Sequence, residues 1–192
     1  MTTVGLVLAA GAGRRMGGPK ALVRTDPDGP TLLEVAVGRI RAAGCADVVV
    51  VVGAAAEDVE PLARSTGAEV VLASDWDEGM GASLRAGLAH LESAPTAADL
   101  ALVTLVDLPD VTAEVMARVL TAADGPASLA RGAYDGVPGH PVLLGRDHWA
   151  AVRTVAHGDR GARDHLRTTP HVLVECGDLA TGRDVDTPAD LA

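Results

Sequence analysis

The fold is decided by the stretch Val4-Gly5-Leu6-Val7-Leu8-Ala9-Ala10-Gly11-Ala12-Gly13-Arg14-Arg15-Met16-Gly17-Gly18-Pro19-Lys20. Its apolar start, residues 4–9, predicts a buried strand that leads into a glycine-rich loop. Glycines let a ligand approach the backbone, and successive free N–H groups bind anions. The basic side chains of Arg14, Arg15 and Lys20 add charge suited to a polyphosphate. We therefore predict a phosphate-binding loop at the carboxyl end of a first strand, where open α/β sheets bind their ligands.

The glycine-rich loop allows two other interpretations. It could be only a tight turn between a strand and a helix. Its spacing Gly11-x-Gly13-x-x-x-Gly17 also overlaps with a dinucleotide fingerprint, although that fingerprint needs its third small residue one place earlier, where Met16 stands. A P-loop is excluded, because Lys20 is followed by Ala21 and not by Ser or Thr.

Length and composition predict one domain with a core of small aliphatic side chains. The 192 residues are 48% hydrophobic but include only two Trp, one Tyr and no Phe, so Val, Leu and Ala must fill the core. The net charge of −10 opposes binding to nucleic acid but is compatible with a local basic pocket. Cys45 and Cys176 match no metal-ligand spacing and are expected to be ordinary small hydrophobic residues. Without a signal-peptide pattern or an apolar run of about twenty residues, we expect a cytoplasmic protein with no membrane partner.

Strand and helix patterns alternate along the chain. Strands are predicted at residues 4–9, 48–52, 70–72, 100–106, 127–130, 142–144 and 172–175. Helices are predicted between Thr31 and Gly44, and at residues 57–65, 83–91, 112–123, 146–156 and 162–166. The segment 139–141 is predicted to be a loop. This alternation predicts a single-domain, three-layer α/β/α sandwich with a mostly parallel, Rossmann-like sheet.

Two carboxylates are candidates for metal binding. Asp107 follows the fourth predicted strand, beside the glycine-rich loop, and Mg²⁺ prefers a few carboxylates together with substrate phosphates. Asp107 could instead cap the next turn. Asp186 is the second candidate, although Asp186-Thr187-Pro188 is also a good start for a helix.

Two further segments are candidates for substrate contacts. The block Gly79 to Ser83 precedes a predicted helix, whose free N–H groups and positive dipole end could face nucleotide or acceptor. Ser83 could instead only cap that helix. His140, between two prolines, could bind an acceptor phosphate or could be merely structural.

At these residues the chain resembles the MobA-like NTP transferases, the nucleotidyltransferases of the sugar-nucleotide and molybdenum-cofactor type. Their signature Leu-x-x-Gly-x-Gly-x-Arg-Met-Gly-x-x-Lys is matched by Leu8, Gly11, Gly13, Arg15, Met16, Gly17 and Lys20. Similar blocks follow at residues 79–84, 106–109, 138–141 and 184–188, in the order found in molybdenum cofactor cytidylyltransferases. The resemblance covers essentially the whole chain, and it implies one nucleotidyltransferase domain over residues 1–192 with the fold of nucleotide-diphospho-sugar transferases.

The resemblance also implies roles for individual residues. The catalytic residues would be Arg15, Lys20 and Asp107. Asp107 and Asp186 would hold Mg²⁺, and His140 and Arg163 would contact the acceptor. The nucleotide would be bound by Leu8, Ala9, Ala10, Gly11, Gly13, Gly17, Gly79 and Ser83. Arg14 is not required by the signature and could simply be solvated.

The implied reaction is transfer of CMP from CTP to the phosphate of molybdopterin, with release of pyrophosphate and with a molybdoenzyme as recipient of the product. The opening Ala9-Ala10-Gly11 is similar to that of the cytidylyl branch, because the guanylyl branch tends to have Gly at the position of Ala10. Leu108 departs from the pattern, which often has Gln after the metal aspartate, and so removes a polar contact. The acceptor could therefore be another phosphorylated small molecule, or the protein could have a different task.

Two alternative functions stay open. One is an NAD(P)H-dependent oxidoreductase of nicotine-blue type, a label that some similar sequences carry. Such an enzyme needs an acidic residue at the end of the second strand to hold the adenosine ribose. Here Val52 is followed by Gly53-Ala54-Ala55-Ala56, and Glu57 comes several residues too late. The other is a nucleotide-binding cofactor chaperone without catalytic activity, whose sequence would look the same.

Overall fold

A computed structural model describes residues 1–94 and 98–191. The strands in these residues are β1 (Thr3–Leu8), β2 (Asp47–Val52), β3 (Glu69–Leu72), β4 (Leu100–Leu105), β5 (Leu129–Tyr134), β6 (Val137–Gly145) and β7 (Val172–Glu175). The α-helices are α1 (Leu32–Ala42), α2 (Ala56–Ser65), α3 (Met80–Ser93), α4 (Ala113–Leu120), α5 (Arg146–Val155) and α6 (Arg163–Thr168). None of the helices in these two ranges is long and apolar enough to cross a membrane.

All of these strands belong to one seven-stranded sheet, in the order β3-β2-β1-β4-β6-β5-β7. Strand β6 is antiparallel to both of its neighbours, whereas the other strand pairs are parallel. In the β1–β4 pair, Leu8 lies opposite Leu105. The loop after β1 and the residues after β4 therefore leave the sheet side by side, which places the glycine-rich loop next to Asp107.

Helices cover both faces of the sheet. One face packs its apolar side chains against α1, α2 and α4, which contribute Ile40, Val59 and Met116 among others. The other face packs against α3, α5 and α6, with Leu88 and Trp149 fully buried there. The predicted three-layer α/β/α sandwich with a mostly parallel sheet is confirmed.

The largest departure from the sequence prediction is the hairpin formed by β5 and β6. A turn at Asp135-Gly136 joins the strands, and both residues have positive φ angles, 52° and 77°. The predicted loop at residues 139–141 is wrong, because β6 continues through it. The pairing shifts register opposite Arg131–Ala133, and such an irregularity accommodates prolines that would disturb regular pairing. His140 is therefore a strand residue.

Helix α3 begins three residues earlier than predicted. Gly79, with a φ angle of 108°, is its N-cap, and Met80 is its first residue. Ser83 consequently lies in the first turn, where it is buried, and it does not cap the helix. The first turn of α3 thus reaches the carboxyl edge of the sheet.

The predicted capping box at the start of α1 is present and offers a test of local stability. Thr31 Oγ1 accepts a hydrogen bond from the Glu34 amide at 3.2 Å, and the Thr31 amide donates to Glu34 Oε2 at 2.7 Å. We expect Thr31→Ala to lower the free energy of unfolding by about 1 kcal/mol, because a helix amide loses its partner. Urea denaturation measures this change. Thr154→Ala, on the exposed side of α5, is the control and should change stability by less than about 0.5 kcal/mol. Equal stability of the two variants would contradict the prediction.

Candidate active site

A cavity of about 710 Å³ opens at the carboxyl edge of β1 and β4. Its lining includes ten of the predicted site residues, namely Leu8, Ala10, Gly11, Gly13, Arg15, Lys20, Gly79, Ser83, Asp107 and Asp186. Ala9 is instead buried in the core, where its amide donates to Val51, and Gly17 lies outside the lining. The fold therefore gathers most of the predicted nucleotide and metal residues at one place.

The glycine-rich loop keeps part of its backbone free. Gly13 has a φ angle of 57°, and a Cβ there would lie 1.9 Å from the Gly18 carbonyl oxygen, so only glycine fits. The Gly13 carbonyl accepts from the amides of Met16 and Gly18 at 2.9 and 3.2 Å. Among the described residues, the amides of residues 11–15 donate to no protein acceptor. The part of the loop available to an anion is therefore its first half.

Lys20 lies between two carboxylates and not in open solvent. Its Nζ donates to Asp107 Oδ2 at 2.7 Å and to Asp186 Oδ1 at 2.6 Å. Burial by itself would lower the pKa of the ammonium, but its hydrogen bonds to the two carboxylates and their charges outweigh burial and raise it. Lys20 is also the only lysine in the sequence. Its charge is thus fixed at the centre of the cavity.

Three carboxylates surround this position. One oxygen from each of Asp107, Asp184 and Asp186 lies within 4.8 Å of the others. Burial raises the pKa of Asp107 despite the opposing effect of Lys20. The hydrogen bond from Lys20 lowers the pKa of Asp186. The three carboxylates could hold a divalent cation, since Mg²⁺ and Mn²⁺ favour oxygen ligands.

An unsatisfied oxygen supports this assignment. Asp107 Oδ1 is buried and has no hydrogen-bond partner in the part of the chain that the structure describes. A buried oxygen without a partner is costly, and a cation supplies what the protein does not. The donor set is therefore suited to a hard divalent metal ion.

The sequence prediction missed Asp184. The signal was the alternation Asp184-Val185-Asp186, because residues two apart in an extended segment lie on the same side. Val185 is buried in the core, and its amide donates to the Asp107 carbonyl at 2.9 Å. This bond aligns the segment with the end of β4 and places both flanking carboxylates beside Asp107.

The charges lining the cavity do not favour an unaccompanied polyphosphate. Arg14, Arg15 and Lys20 supply three positive groups. The acidic side chains are five, namely Asp77, Asp107, Asp159, Asp184 and Asp186. The charges of the site and a nucleotide are balanced only if cations bind together with the nucleotide.

Ala10 and Trp76 line the cavity, and Gly53 packs closely against both of them. A Cβ on Gly53 would lie 2.5 Å from the Trp76 Cβ and 2.8 Å from the Ala10 Cβ. Any larger residue after β2 would collide with these two side chains. Trp76, which the sequence prediction missed, lines the cavity with a partly exposed indole. Ala10 and Trp76 thus leave no space for a side chain at the position where a dinucleotide-binding enzyme carries its acidic residue.

The two predicted acceptor residues lie in a second, smaller cavity. His140 and Arg163 line a space of about 60 Å³ that shares Leu8, Met80 and Asp159 with the large cavity. Arg131 of β5, which the sequence prediction missed, lines it too. Burial, together with the charges of the two arginines, lowers the pKa of His140 to about 4, so its imidazole is neutral at pH 7.

The fold and the site together define a nucleotidyltransferase type of enzyme, with a glycine-rich loop, a lysine and a carboxylate cluster at one sheet edge. The chain belongs to the MobA-like NTP transferase domain family, whose sequence profile matches residues 5–173. The resemblance stated from the motifs is confirmed.

Individual relatives differ in their names. A protein of Paenarthrobacter nicotinovorans named nicotine blue oxidoreductase is 37% identical over 193 residues, which cover 95% of this chain and 91% of the relative. The structure of Rv0371c from Mycobacterium tuberculosis in complex with manganese is 28% identical, with a TM-score of 0.71 over 92% of this chain and 88% of that one. A nucleotidyl transferase from Methanothermobacter, 23% identical with a TM-score of 0.79 over 98% and 94% of the two chains, shares the fold.

Proposed function

We propose that residues 1–192 form a single-domain, Mg²⁺-dependent cytidylyltransferase. It transfers CMP from CTP to the phosphate of molybdopterin, releases pyrophosphate, and passes the product to a molybdoenzyme in the cytoplasm. The observation that carries the proposal is the arrangement of Lys20 and three carboxylates beside a glycine-rich loop with free amides. Enzymes that transfer a phosphoryl or nucleotidyl group work by positioning and electrostatics, and these amides, the ammonium and the carboxylates are the groups that such transfer needs.

Each group in the cavity has a role in this proposal. The free amides of residues 11–15, with Arg15 and Lys20, bind the β- and γ-phosphates of the donor. Asp107, Asp184 and Asp186 would hold the divalent metal ion, which neutralises phosphate charge and polarises the phosphoryl oxygens when bound. The excess of acidic side chains supports the metal requirement. The manganese in Rv0371c supports it as well.

The chemistry needs no general base. An acceptor phosphate is already an anion at neutral pH, so one of its oxygens attacks the α-phosphorus of CTP. The bond between the α-phosphorus and the bridging oxygen breaks, and pyrophosphate leaves with the electron pair. The protein residues hold the two anions together and balance their repulsion.

Discrimination between CTP and GTP is the first test of the donor. The Ala10 methyl group narrows the cavity beside Trp76. The purine of GTP should therefore fit less well than the smaller cytosine of CTP. We expect faster pyrophosphate release with CTP than with GTP, by about 5- to 150-fold, because one methylene in a pocket is worth about 1–3 kcal/mol. The assay compares both nucleotides at equal concentration, with Mg²⁺ and molybdopterin present.

Ala10→Gly is the matched variant for this comparison and should reduce the preference for CTP over GTP. Equal rates with CTP and GTP in the unaltered protein, or a faster rate with GTP, would contradict assignment to the cytidylyl branch.

The name of the relative from Paenarthrobacter nicotinovorans favours an oxidoreductase as the second candidate. The packing around Gly53 opposes it, because an acidic side chain for the adenosine ribose has no space there. Oxidation of NADPH with a dye acceptor, without pyrophosphate release from any nucleotide, would favour this candidate. Binding of CTP without turnover of any kind would instead indicate a cofactor chaperone.

A further inference from the structure

The small cavity is lined by basic side chains. It lies where the apolar sheet face beneath α3 and α5 ends. Leu129 of β5 packs in the core beneath α3 and α5, and Arg131, two residues further on, lies on the same side of the sheet. Its partner across the hairpin is Val142, also a core residue. Arg131 is thus a partly buried charge at a position where the neighbouring residues are apolar.

The positive charges in this cavity have little compensation. The Arg131 guanidinium donates to the Gly139 carbonyl, with both distances 3.3 Å. Among the described residues, neither Arg131 nor Arg163 forms an ion pair with a carboxylate. Burial and the nearby charge of Arg163 lower the pKa of Arg131.

The two other charged side chains that line the cavity are Arg160 and Asp159. Arg160 pairs with Asp164 at 2.9 Å. Asp159 lines both cavities, but one of its oxygens lies only 2.6 Å from the position that a Cβ on Gly79 would take. Its carboxylate is therefore against the start of α3. Arg131, which is partly buried, and Arg163, which is exposed, repel each other across a small open space. An anion bound there would offset the partly buried charge of Arg131, which has no carboxylate partner.

We propose that Arg131, Arg163 and His140, which line the small cavity together, form an oxyanion subsite that binds the phosphomonoester of the acceptor. This inference rests on the proposed function and adds Arg131 as a specificity-determining residue. The space of about 60 Å³ equals about two water molecules, which suits one small tetrahedral anion. The guanidinium forks bind two phosphate oxygens each, and the imidazole donates one hydrogen bond without adding charge.

Calorimetric titration with inorganic phosphate, in a buffer without other oxyanions, tests the subsite directly. We expect Arg131→Gln to weaken phosphate binding by about ten- to a hundredfold, as expected for a lost charge-assisted hydrogen bond. Arg131→Lys should retain part of the affinity. Arg64→Gln, on the surface of α2 in an i,i+4 pair with Glu60, is the matched control and should bind phosphate as the unaltered protein does.

Thermal unfolding guards against a folding defect. Arg131→Met removes an uncompensated charge, so its melting temperature without phosphate should equal or exceed that of the unaltered protein. Phosphate should raise the melting temperature of the unaltered protein and not that of Arg131→Met. Equal phosphate affinity in Arg131→Gln and the unaltered protein would overturn the proposal.

A parallel titration with pyrophosphate distinguishes the acceptor from the leaving group. Pyrophosphate binding should depend on Lys20 and hardly on Arg131. A stronger loss for pyrophosphate than for phosphate in Arg131→Gln would assign the subsite to the leaving group and overturn the acceptor assignment. Binding of CTP, followed by the fluorescence of Trp76, keeps the two proposals separate. If the unaltered protein does not bind CTP, the proposed function fails, while the phosphate titration still decides the subsite.

Discussion

Asp107→Asn should reduce metal-dependent pyrophosphate release by about a thousandfold. The substitution keeps the size of the side chain but removes the charge of the most buried member of the carboxylate cluster. Amide oxygens bind Mg²⁺ weakly by comparison, and loss of a metal that neutralises phosphate charge is worth several kcal/mol in the transition state. The measurement is a pyrophosphate-release assay across a Mg²⁺ titration, with Mn²⁺ binding followed by calorimetry.

Asp47→Asn is the control for this variant. Asp47 is exposed at the start of β2, away from the carboxyl ends of the strands where the cavity lies. The Mg²⁺ dependence of pyrophosphate release in its amide variant should therefore equal that of the unaltered protein. Asp107→Asn should remain folded, because the carboxylate has an unsatisfied buried oxygen whose charge is costly. An unchanged Mg²⁺ dependence in Asp107→Asn would contradict the metal role of Asp107.

The central part of the fold could be predicted because its signals are local. The buried runs of β1, β2 and β4 are short and apolar, as expected for strands covered on both faces. The capping box at Thr31 fixes the start of α1 to the residue. Parallel pairing then brings the ends of β1 and β4 to one edge, so the proximity of the glycine-rich loop and Asp107 follows from topology.

The second half of the site could not be predicted in the same way. The two prolines around His140 predict a loop, whereas Asp135-Gly136 is a pair typical of two-residue hairpin turns. A hairpin turn at this pair places Arg131 in the strand before it, β5, and His140 in the strand after it, β6. Their shared side of the sheet depends on the register shift in the hairpin, which no local pattern specifies.

The position of Lys20 is a further case where motif and structure give different information. The signature places a lysine after the glycines and implies contact with the triphosphate. The structure adds two carboxylate partners for the same ammonium, a long-range arrangement with Asp107 and Asp186 that the spacing of the motif does not contain. Lys20 thus links the predicted metal ligands to the glycine-rich loop, and substitution of Lys20 can test both metal binding and turnover.

Lys20→Ala should lower turnover by about a hundred- to a thousandfold, or about 2.7–4 kcal/mol, the range for loss of one preorganised donor to a developing oxyanion. The same variant should bind Mn²⁺ at least as tightly as the unaltered protein, because the ammonium competes with a cation for Asp107 and Asp186. Lys20→Arg should not restore turnover, since the planar guanidinium does not replace a compact ammonium between two carboxylates. Stopped assays of pyrophosphate release and calorimetry with Mn²⁺ measure the two quantities separately.

This separation distinguishes Lys20 from Asp107, whose amide variant should lose turnover and metal binding together. Chemical modification gives an independent measurement, because reductive methylation can reach only Lys20 and the terminal amine. CTP with Mg²⁺ should protect Lys20 from the reagent if the ammonium contacts the bound phosphates. Arg64→Ala, on exposed α2, is the control and should keep normal turnover. Normal turnover in Lys20→Ala would contradict the phosphate role of Lys20. Loss of Mn²⁺ binding in that variant would show that the ammonium organises the carboxylates and does not compete with the cation.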